Sequence, residues 1–290
     1  ATWSGVLAND ANEYLNTVAT EVDVTEEDTV TSWAKYYSLS GTATGNANAS
    51  GYEHRNSGAA VGVGWAVTDK ITFGLHGGYS WNNGDFGLDM IKSQSKEFGA
   101  YVATDMGMVK SSLVYSHGTH DIESTRNITV AGLEGTASQK GNVKSNKMKA
   151  SVMVPFAVSE SFTISPVAEF NFVRMGSLEF SEAGAGVMNL SGSTSAFESK
   201  QSRVGISAEI LSTAFSGVQV NPNFKMVYAT EHGDTMGTHG ASLAGASDQY
   251  FMIQGLEHDK SQIEVDAGVD LLTNSKVSFS INYRGLYNDT

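Results

Sequence analysis

Cysteine is missing from the 290 residues, which excludes a disulfide framework, a thiolate metal site and a cysteine nucleophile. That absence suits a chain that crosses an oxidising compartment unfolded. Basic residues are scarce: 18 Lys+Arg against 31 Asp+Glu leave a net charge of −13, the wrong sign for nucleic-acid binding. No run of about 18 apolar residues occurs, which excludes a transmembrane helix. It does not exclude a membrane, because a spanning β-strand needs only about 9–11 residues with alternate ones apolar. Residues 1–28 have no basic n-region and no apolar h-region, so they do not read as a signal peptide, and the sequence reads as a processed or excised piece. Proline is rare, at 3, while glycine is plentiful, at 31. With charged residues at 17% the composition is neither collagenous nor disordered.

From residue 30 onward the dominant signal is two-residue alternation, the mark of strands with one apolar face. In 58–67 the odd positions are Ala59, Val61, Val63, Trp65 and Val67, and the even ones are Gly58, Ala60, Gly62, Gly64 and Ala66. Further apolar rows include Phe98, Ala100, Val102; Met148 to Phe156; Phe162 to Phe172; Val204 to Ile210; Val218 to Tyr228; Ile263 to Leu271; and Val277 to Tyr283. The opposite faces carry Lys35, Lys149, Glu169, Arg203, Glu209, Glu264, Asp266, Asp270 and Arg284. In a soluble sandwich such a polar row faces outside water; in a membrane barrel it lines the lumen while the apolar row faces lipid.

The connections separate the two. Short links at 68–70, 106–108, 158–161, 213–217 and 273–275 take turns with long polar stretches at about 40–57, 82–96, 118–146, 175–202 and 230–260. That alternation belongs to up-and-down outer-membrane barrels, with tight periplasmic turns and long extracellular loops. Aromatics at the row ends (Trp65, Tyr79, Trp81, Tyr115, Phe156, Phe162, Phe172, Tyr228, Tyr283) read as interfacial girdles. Eleven strands are expected, at roughly 31–40, 57–67, 71–81, 96–105, 109–118, 146–157, 162–174, 202–212, 218–229, 261–272 and 276–286. Single-chain bacterial barrels have even strand numbers, so a closing strand is expected to be missing after 286. Alternatively, the segment from Gln249 to Leu256 hides a strand pair.

The N-terminal segment has another period. Val6, Leu7, Ala11, Tyr14, Leu15, Val18 and Ala19 recur at helical spacing, predicting a helix over about 5–20. Its Asn9, Asn12, Tyr14 and Asn16 suit a polar pore.

The chain resembles the β-domain, or translocator, of type V autotransporters. The likeness rests on Trp33-Ala-Lys-Tyr, on Gly58-Ala-Ala-Val-Gly-Val-Gly-Trp followed by Ile71-Thr-Phe-Gly-Leu-His-Gly-Gly-Tyr-Ser, on Lys96-Glu-Phe-Gly-Ala-Tyr-Val-Ala, and on Ile164-Ser-Pro-Val-Ala-Glu-Phe leading to Ser202-Arg-Val-Gly-Ile. It covers about residues 30–290. It implies an all-β, transmembrane up-and-down antiparallel barrel of a twelve-stranded family with an α-helix in the pore: a linker over 1–28 and a barrel over 29–290. Function follows by the same route: insertion in the outer membrane of a Gram-negative bacterium and export of an N-terminal passenger, with the assembly machinery, periplasmic chaperones and outer-membrane lipid as partners, as a monomer without cofactor or metal. The lumen is expected to be water-filled, without apolar surface to trap a sliding chain, with Glu169, Glu264, Asp266 and Asp270 paired against Lys35, Lys149, Arg203 and Arg284.

Enzymatic chemistry finds little support. His117-Gly-Thr-His120 has metal-ligand spacing for a helix, but strand geometry puts the two on opposite faces. No Gly-x-Ser-x-Gly elbow, HExxH or phosphate loop is present. Some autotransporters cleave their linker through an Asn side chain, for which Asn9, Asn12 or Asn16 stand as candidates, yet the Asn-Asn pair typical of that step is absent. The rival reading of the whole chain is a passive diffusion channel or adhesin barrel, which has no use for an upstream helix.

Overall fold

The computed structural model describes residues 3–21, 29–45, 51–212, 218–273 and 278–287. A helix, α1 (Trp3–Ala19), precedes the strands β1 (Val30–Ala43), β2 (Tyr52–Thr68), β3 (Ile71–Asp85), β4 (Asp89–Asp105), β5 (Lys110–Ile128), β6 (Gly135–Met153), β7 (Phe156–Ser159), β8 (Phe162–Met175), β9 (Glu179–Ser181), β10 (Leu190–Thr194), β11 (Phe197–Ile210), β12 (Val218–Glu231), β13 (Thr238–Leu243), β14 (Ala246–Gln254), β15 (Ser261–Thr273) and β16 (Ser278–Tyr287). Eleven of them pair antiparallel in the order β1-β2-β3-β4-β5-β6-β8-β11-β12-β15-β16, with β7 beside β8. Each strand pairs the next in sequence apart from the short insertions, so the sheet is an up-and-down barrel wall curled around α1.

Its register follows from the alternation. On β2 the residues Val61, Trp65 and Val67 are exposed while Ala60, Gly64 and Ala66 are buried, and the same parity holds at Phe73, Leu75, Phe98, Leu113, Tyr115, Val152, Phe170, Val204, Ile206, Met226 and Ile263 on the outside. Between them the inward positions hold Ser80, Ser95, Ser116, Ser145, Lys147, Asn171, Arg203 and Glu264, all buried. An apolar residue turned outward and a polar one turned inward reverse the usual soluble arrangement.

Glycine on the inner face makes room. Trp33 lies across Gly62, Tyr37 across Gly58 and Tyr101 across Gly74, where a Cβ on the glycine would collide with the ring. Large rings thus lie flat against the wall. Tight turns are pinned locally: Asp105 Oδ1 accepts the Gly107 amide at 2.8 Å, with Gly107 at φ 79°, a conformation that glycine adopts without a Cβ penalty.

Three features depart from the sequence expectation. Strands run farther on the loop side, so the expected loop at 82–96 shrinks to Phe86-Gly87-Leu88 and most of 118–146 becomes a hairpin of β5 and β6. Above the apolar band the outward residues turn polar (Asp121, Glu123, Lys140), hiding the alternation, while Ile122, Ala137 and Val143 stay buried inside. The strand expected over 146–157 breaks after Met153, and Phe156 starts the separate β7; Pro155 lacks the N–H that a ladder needs. A strand pair does lie in the 230–260 stretch, as β13 and β14, but it joins β10 and β9 in a separate four-stranded sheet rather than the wall. The links expected at 213–217 and around 274–275 fall outside the described residues.

Candidate functional site

The site is the lumen and the helix that fills it. Leu7, Ala11, Tyr14, Leu15 and Val18 are at most 1% exposed, and Asp10, Asn16 and Thr17 on the remaining faces at most 4%. A helix buried around most of its circumference needs partners for its polar groups as well as its apolar ones. The apolar ones join a single cluster with Tyr37, Tyr52, Phe86, Ile91, Tyr101, Val114, Ile122, Val143, Val173, Met175, Leu178 and Phe197 from the wall and its loop-side rim. This corrects the expectation of a lumen free of apolar surface. Those wall residues occupy inward positions that also hold serines and charges, so averaging along a strand's inner row conceals them.

The helix has a direction. Toward the loop end, Asp10 Oδ2 accepts hydrogen bonds from Ser80 and Ser95 at 3.2 Å each, and Oδ1 accepts one from Asn56. At mid-height the Tyr14 hydroxyl meets His76 Nδ1 at 2.9 Å, the Lys147 ammonium stands 5.2 Å from the Tyr14 ring centre, and the ring packs on Gly78. Lower down, Lys149 Nζ donates to Asn16 Oδ1 at 2.8 Å. At the turn end Lys35 Nζ donates to Glu21 Oε1 at 2.7 Å and to Thr20 Oγ1 at 2.9 Å. The first residue of β1 pairs with Trp65 beside the β2–β3 turn.

The expected charged residues fall into three groups. Lys149, Glu169, Arg203, Glu264, Asp266 and Arg284 form one network on β6, β8, β11, β15 and β16, joined by Lys225 on β12. Glu169 receives Lys149 at 3.0 Å, Arg203 at 2.8 Å and Lys225 at 3.2 Å. Glu264 receives Arg203 at 2.6 Å and Arg284 at 3.3 Å, and Asp266 receives Arg284 at 2.6 Å. On the wall this network has four cations and three carboxylates; the fourth carboxylate is Glu13 of the helix, 2.8 Å from Arg284 Nη1. Seating the helix therefore completes the charge balance of a region whose Arg203 and Glu264 side chains are each 1% exposed. Lys35 stands apart, held by the helix end. Asp270, bonded to Asn223 at 2.7 Å, and exposed Glu209 line the turn-side vestibule.

Among the helix positions, Tyr14 and Asn16 bond the wall as described. Asn12 is partly buried with its Oδ1 unbonded, beside a cavity, and the side chain of Asn9 lies outside the described residues. Asp10, Glu13 and Glu21, which sequence reasoning missed, make the firmest helix contacts. The available signal was their sign: two acids on the helix and one just past its end, opposite a wall rich in inward lysine and arginine. Lys147 and Glu97, inward residues of the same polar rows, pair with each other and are both buried. His120 faces the lumen between Ser95 and Ser145, at 2.7 and 2.8 Å, whereas His117 on the outer face meets Asn146 at 3.1 Å.

Two cavities flank the plug. One of about 450 Å³ opens on the loop side, bordered by Asn12, Glu13, Glu231, His258 and Arg284. The other, about 580 Å³, opens on the turn side, bordered by Thr20, Lys35, Glu209 and Asp270. Both are bordered by β1 and β16, whose outer edges are unpaired among the described residues.

An antiparallel up-and-down barrel, apolar outside and plugged by a helix through its lumen, has the architecture of an outer-membrane translocator barrel. The family model of the autotransporter beta-domain matches residues 32–284, and the chain belongs to that family. Its fold is similar to the crystal structure of the β-domain of the Bordetella autotransporter BrkA, at 17% identity over 90% of this chain and 93% of that one, with a TM-score of 0.66. It is also similar to the translocator domain of the autotransporter NalP from Neisseria meningitidis, at 12% identity over 97% and 95% of the two chains, with a TM-score of 0.61. No curated protein matches the chain by sequence. At such identities the structural likeness concerns the fold.

Proposed function

We propose that this domain sits in the outer membrane of a Gram-negative bacterium and carries an N-terminal passenger to the cell surface, with residues 1–28 as linker and 29–290 as barrel. The observation that carries this reading is the direction of α1. Its Asp10 end lies among the loop-side residues Asn56, Ser80 and Ser95, and its Glu21 end beside Lys35 near the turns. With long loops outside and short turns in the periplasm, a polypeptide joined ahead of α1 stands on the cell surface. A helix of the opposite direction would hold it in the periplasm.

The outer band supports membrane insertion. On β2 it runs from Ala59 to Val67; nine residues at about 3.3 Å each, tilted about 40°, span roughly 23 Å, close to the apolar height of about 25 Å expected of such barrels. Exposed aromatics, Trp65, Trp81, Tyr115, Tyr228 and Tyr283, lie toward the ends of the rows. The barrel works as a monomer, assembled by the barrel-assembly machinery with periplasmic chaperones, and it performs no chemistry of its own. Asn16 is held by Lys149 as a hydrogen-bond acceptor, which gives it a seating role rather than a cleavage role.

Planar-bilayer conductance with and without residues 1–28 tests this. The account expects a small, unstable current that rises on deletion. A large conductance that the deletion leaves unchanged would favour the passive diffusion channel.

A further inference from the structure

The outer wall has a chemical asymmetry just above its apolar band. The apolar band ends upward at Phe98 on β4, Tyr115 on β5, Met148 on β6, Phe172 on β8 and Val204 on β11, and one more outward apolar residue, Met90, follows on β4 only beyond the polar positions. The outward positions next above them are held by Lys96, His117, Asn146 with Lys144, and Arg174, and on β11 by Ser202 and Lys200. These are neighbours in space. Lys96 pairs across Thr119 to Lys144 in register, and His117 pairs through Asn146 to Arg174. The lysine and arginine side chains point away from the barrel: Lys96 is 65% and Arg174 58% exposed.

Few carboxylates answer them. Glu198 is shared between Arg174 at 3.5 Å and Lys200 at 2.7 Å. Asp121, already bonded by Asn142 at 2.7 Å, lies 3.9 Å from Lys96. Lys144 forms no ion pair among the described residues. Two outward positions higher, Lys92 and Lys140 flank Glu123 in register. In a chain with net charge −13, a one-sided arc of cations is a local reversal of sign. Its floor is finished for an interface too: the Tyr115 hydroxyl donates to Asn146 at 2.9 Å, tying the aromatic girdle to the polar row.

We propose that this arc, from Lys96 through Lys144 to Arg174 and Lys200, binds the phosphorylated sugar headgroup of an outer-leaflet glycolipid whose acyl chains lie along Phe98, Tyr115, Met148 and Phe172. Cations directly above an acyl-facing surface meet a lipid phosphate at the depth where it resides, and each ammonium or guanidinium near a charged membrane surface strengthens the attachment. The inference rests on the membrane reading of the barrel and is independent of passenger export.

The full chain, refolded in neutral detergent, is titrated with bis-phosphorylated lipid A and the bound lipid counted by native mass spectrometry. The double variant Lys96→Gln/Lys144→Gln is expected to weaken retention by about 25-fold. The variant Lys70→Gln/Lys110→Gln, with the same loss of charge at the turns, is expected to retain wild-type binding, and dephosphorylated lipid A to bind poorly to every form. Heat-modifiable gel migration and flotation with phosphatidylcholine vesicles report folding and insertion separately, so a failed barrel is distinguished from a failed lipid site. Unchanged retention in the belt variant, an equal loss in the turn variant, or equal binding of dephosphorylated lipid A would each overturn the proposal.

Discussion

The two flanks of the lumen hold the same helix by different means. The flank built from β1 to β5 is neutral in most of its contacts: aromatics lie on glycines, Tyr14 rests on Gly78, and Asp10 is held by a buried amide and two serine hydroxyls. The flank from β6 to β16 is ionic, a chain of charges that Glu13 of the helix completes. Shape fixes the position of α1 on the first side, since close-packed surfaces tolerate little displacement. On the second, charge fixes it, and buried charges are costly when left unpaired. A lumen that has lost its helix therefore keeps a largely neutral wall, whose Glu97 stays paired with Lys147, and exposes a wet, charged one.

Substitutions break this comparison in order of size. Arg203→Ala leaves Glu169 and Glu264 partly uncompensated in a buried site, and a loss of about 3–5 kcal/mol in stability is expected, read as a lower midpoint of denaturant unfolding in micelles. Glu13→Gln keeps the shape but removes the charge facing Arg284, at an expected cost of about 1.5–3 kcal/mol and with more open-channel current in bilayers. Gly78→Ala pushes a methyl into the Tyr14 ring on the neutral flank, an overpacking cost of about 1–3 kcal/mol; intrinsic fluorescence and channel noise report it. Should Glu13→Gln leave the current unchanged while Gly78→Ala raises it, shape alone seats the helix. Lys35→Gln at the turn-side rim, where Lys35 and Glu21 are 16% and 24% exposed, is expected to cost about 1 kcal/mol or less.

A pH change away from both flanks completes the series. Burial in the loop sheet, near Phe180, pushes His239 down to about 4. The unfolded chain takes up a proton near pH 6.5 and the folded sheet resists it, so the stability of that sheet is full above pH 6.5 and declines as pH falls toward 4. The protection factors of the β10 and β13 amides, corrected for the slowing of intrinsic exchange with acid, are expected to fall between pH 6.5 and 4 while the amides of α1 hold their protection.

The outer wall was the most legible part of the sequence, because lipid-facing positions such as Val61, Trp65, Phe98 and Val204 must be apolar on every strand and so announce the period. The helix was legible through Leu7, Ala11, Leu15 and Val18, although reading it as one apolar face missed Asp10, Glu13 and Glu21. A helix enclosed by a mixed lumen buries polar and apolar faces alike, and periodicity detects only the second. The loop-side hairpin of β5 and β6 escaped for the converse reason: its outer residues are charged, and its buried Ile122 and Val143 alternate with polar residues that mimic a loop. The sheet of β9, β10, β13 and β14 joins segments some fifty residues apart, a pairing that no local pattern encodes.

The account turns on the direction of α1 through the barrel, and the absence of native cysteine makes that directly measurable. In one paired variant, Asp10→Cys is combined with Ser80→Cys, whose parent side chains are 3.2 Å apart; in the other, Asp10→Cys is combined with Lys149→Cys near the turn end. Mild oxidation of the inserted protein is predicted to link 10 with 80 and to leave 10 and 149 as free thiols. Efficient linkage of 10 with 149 and none of 10 with 80 would contradict the account, since it would turn the helix around and place its N-terminal end in the periplasm.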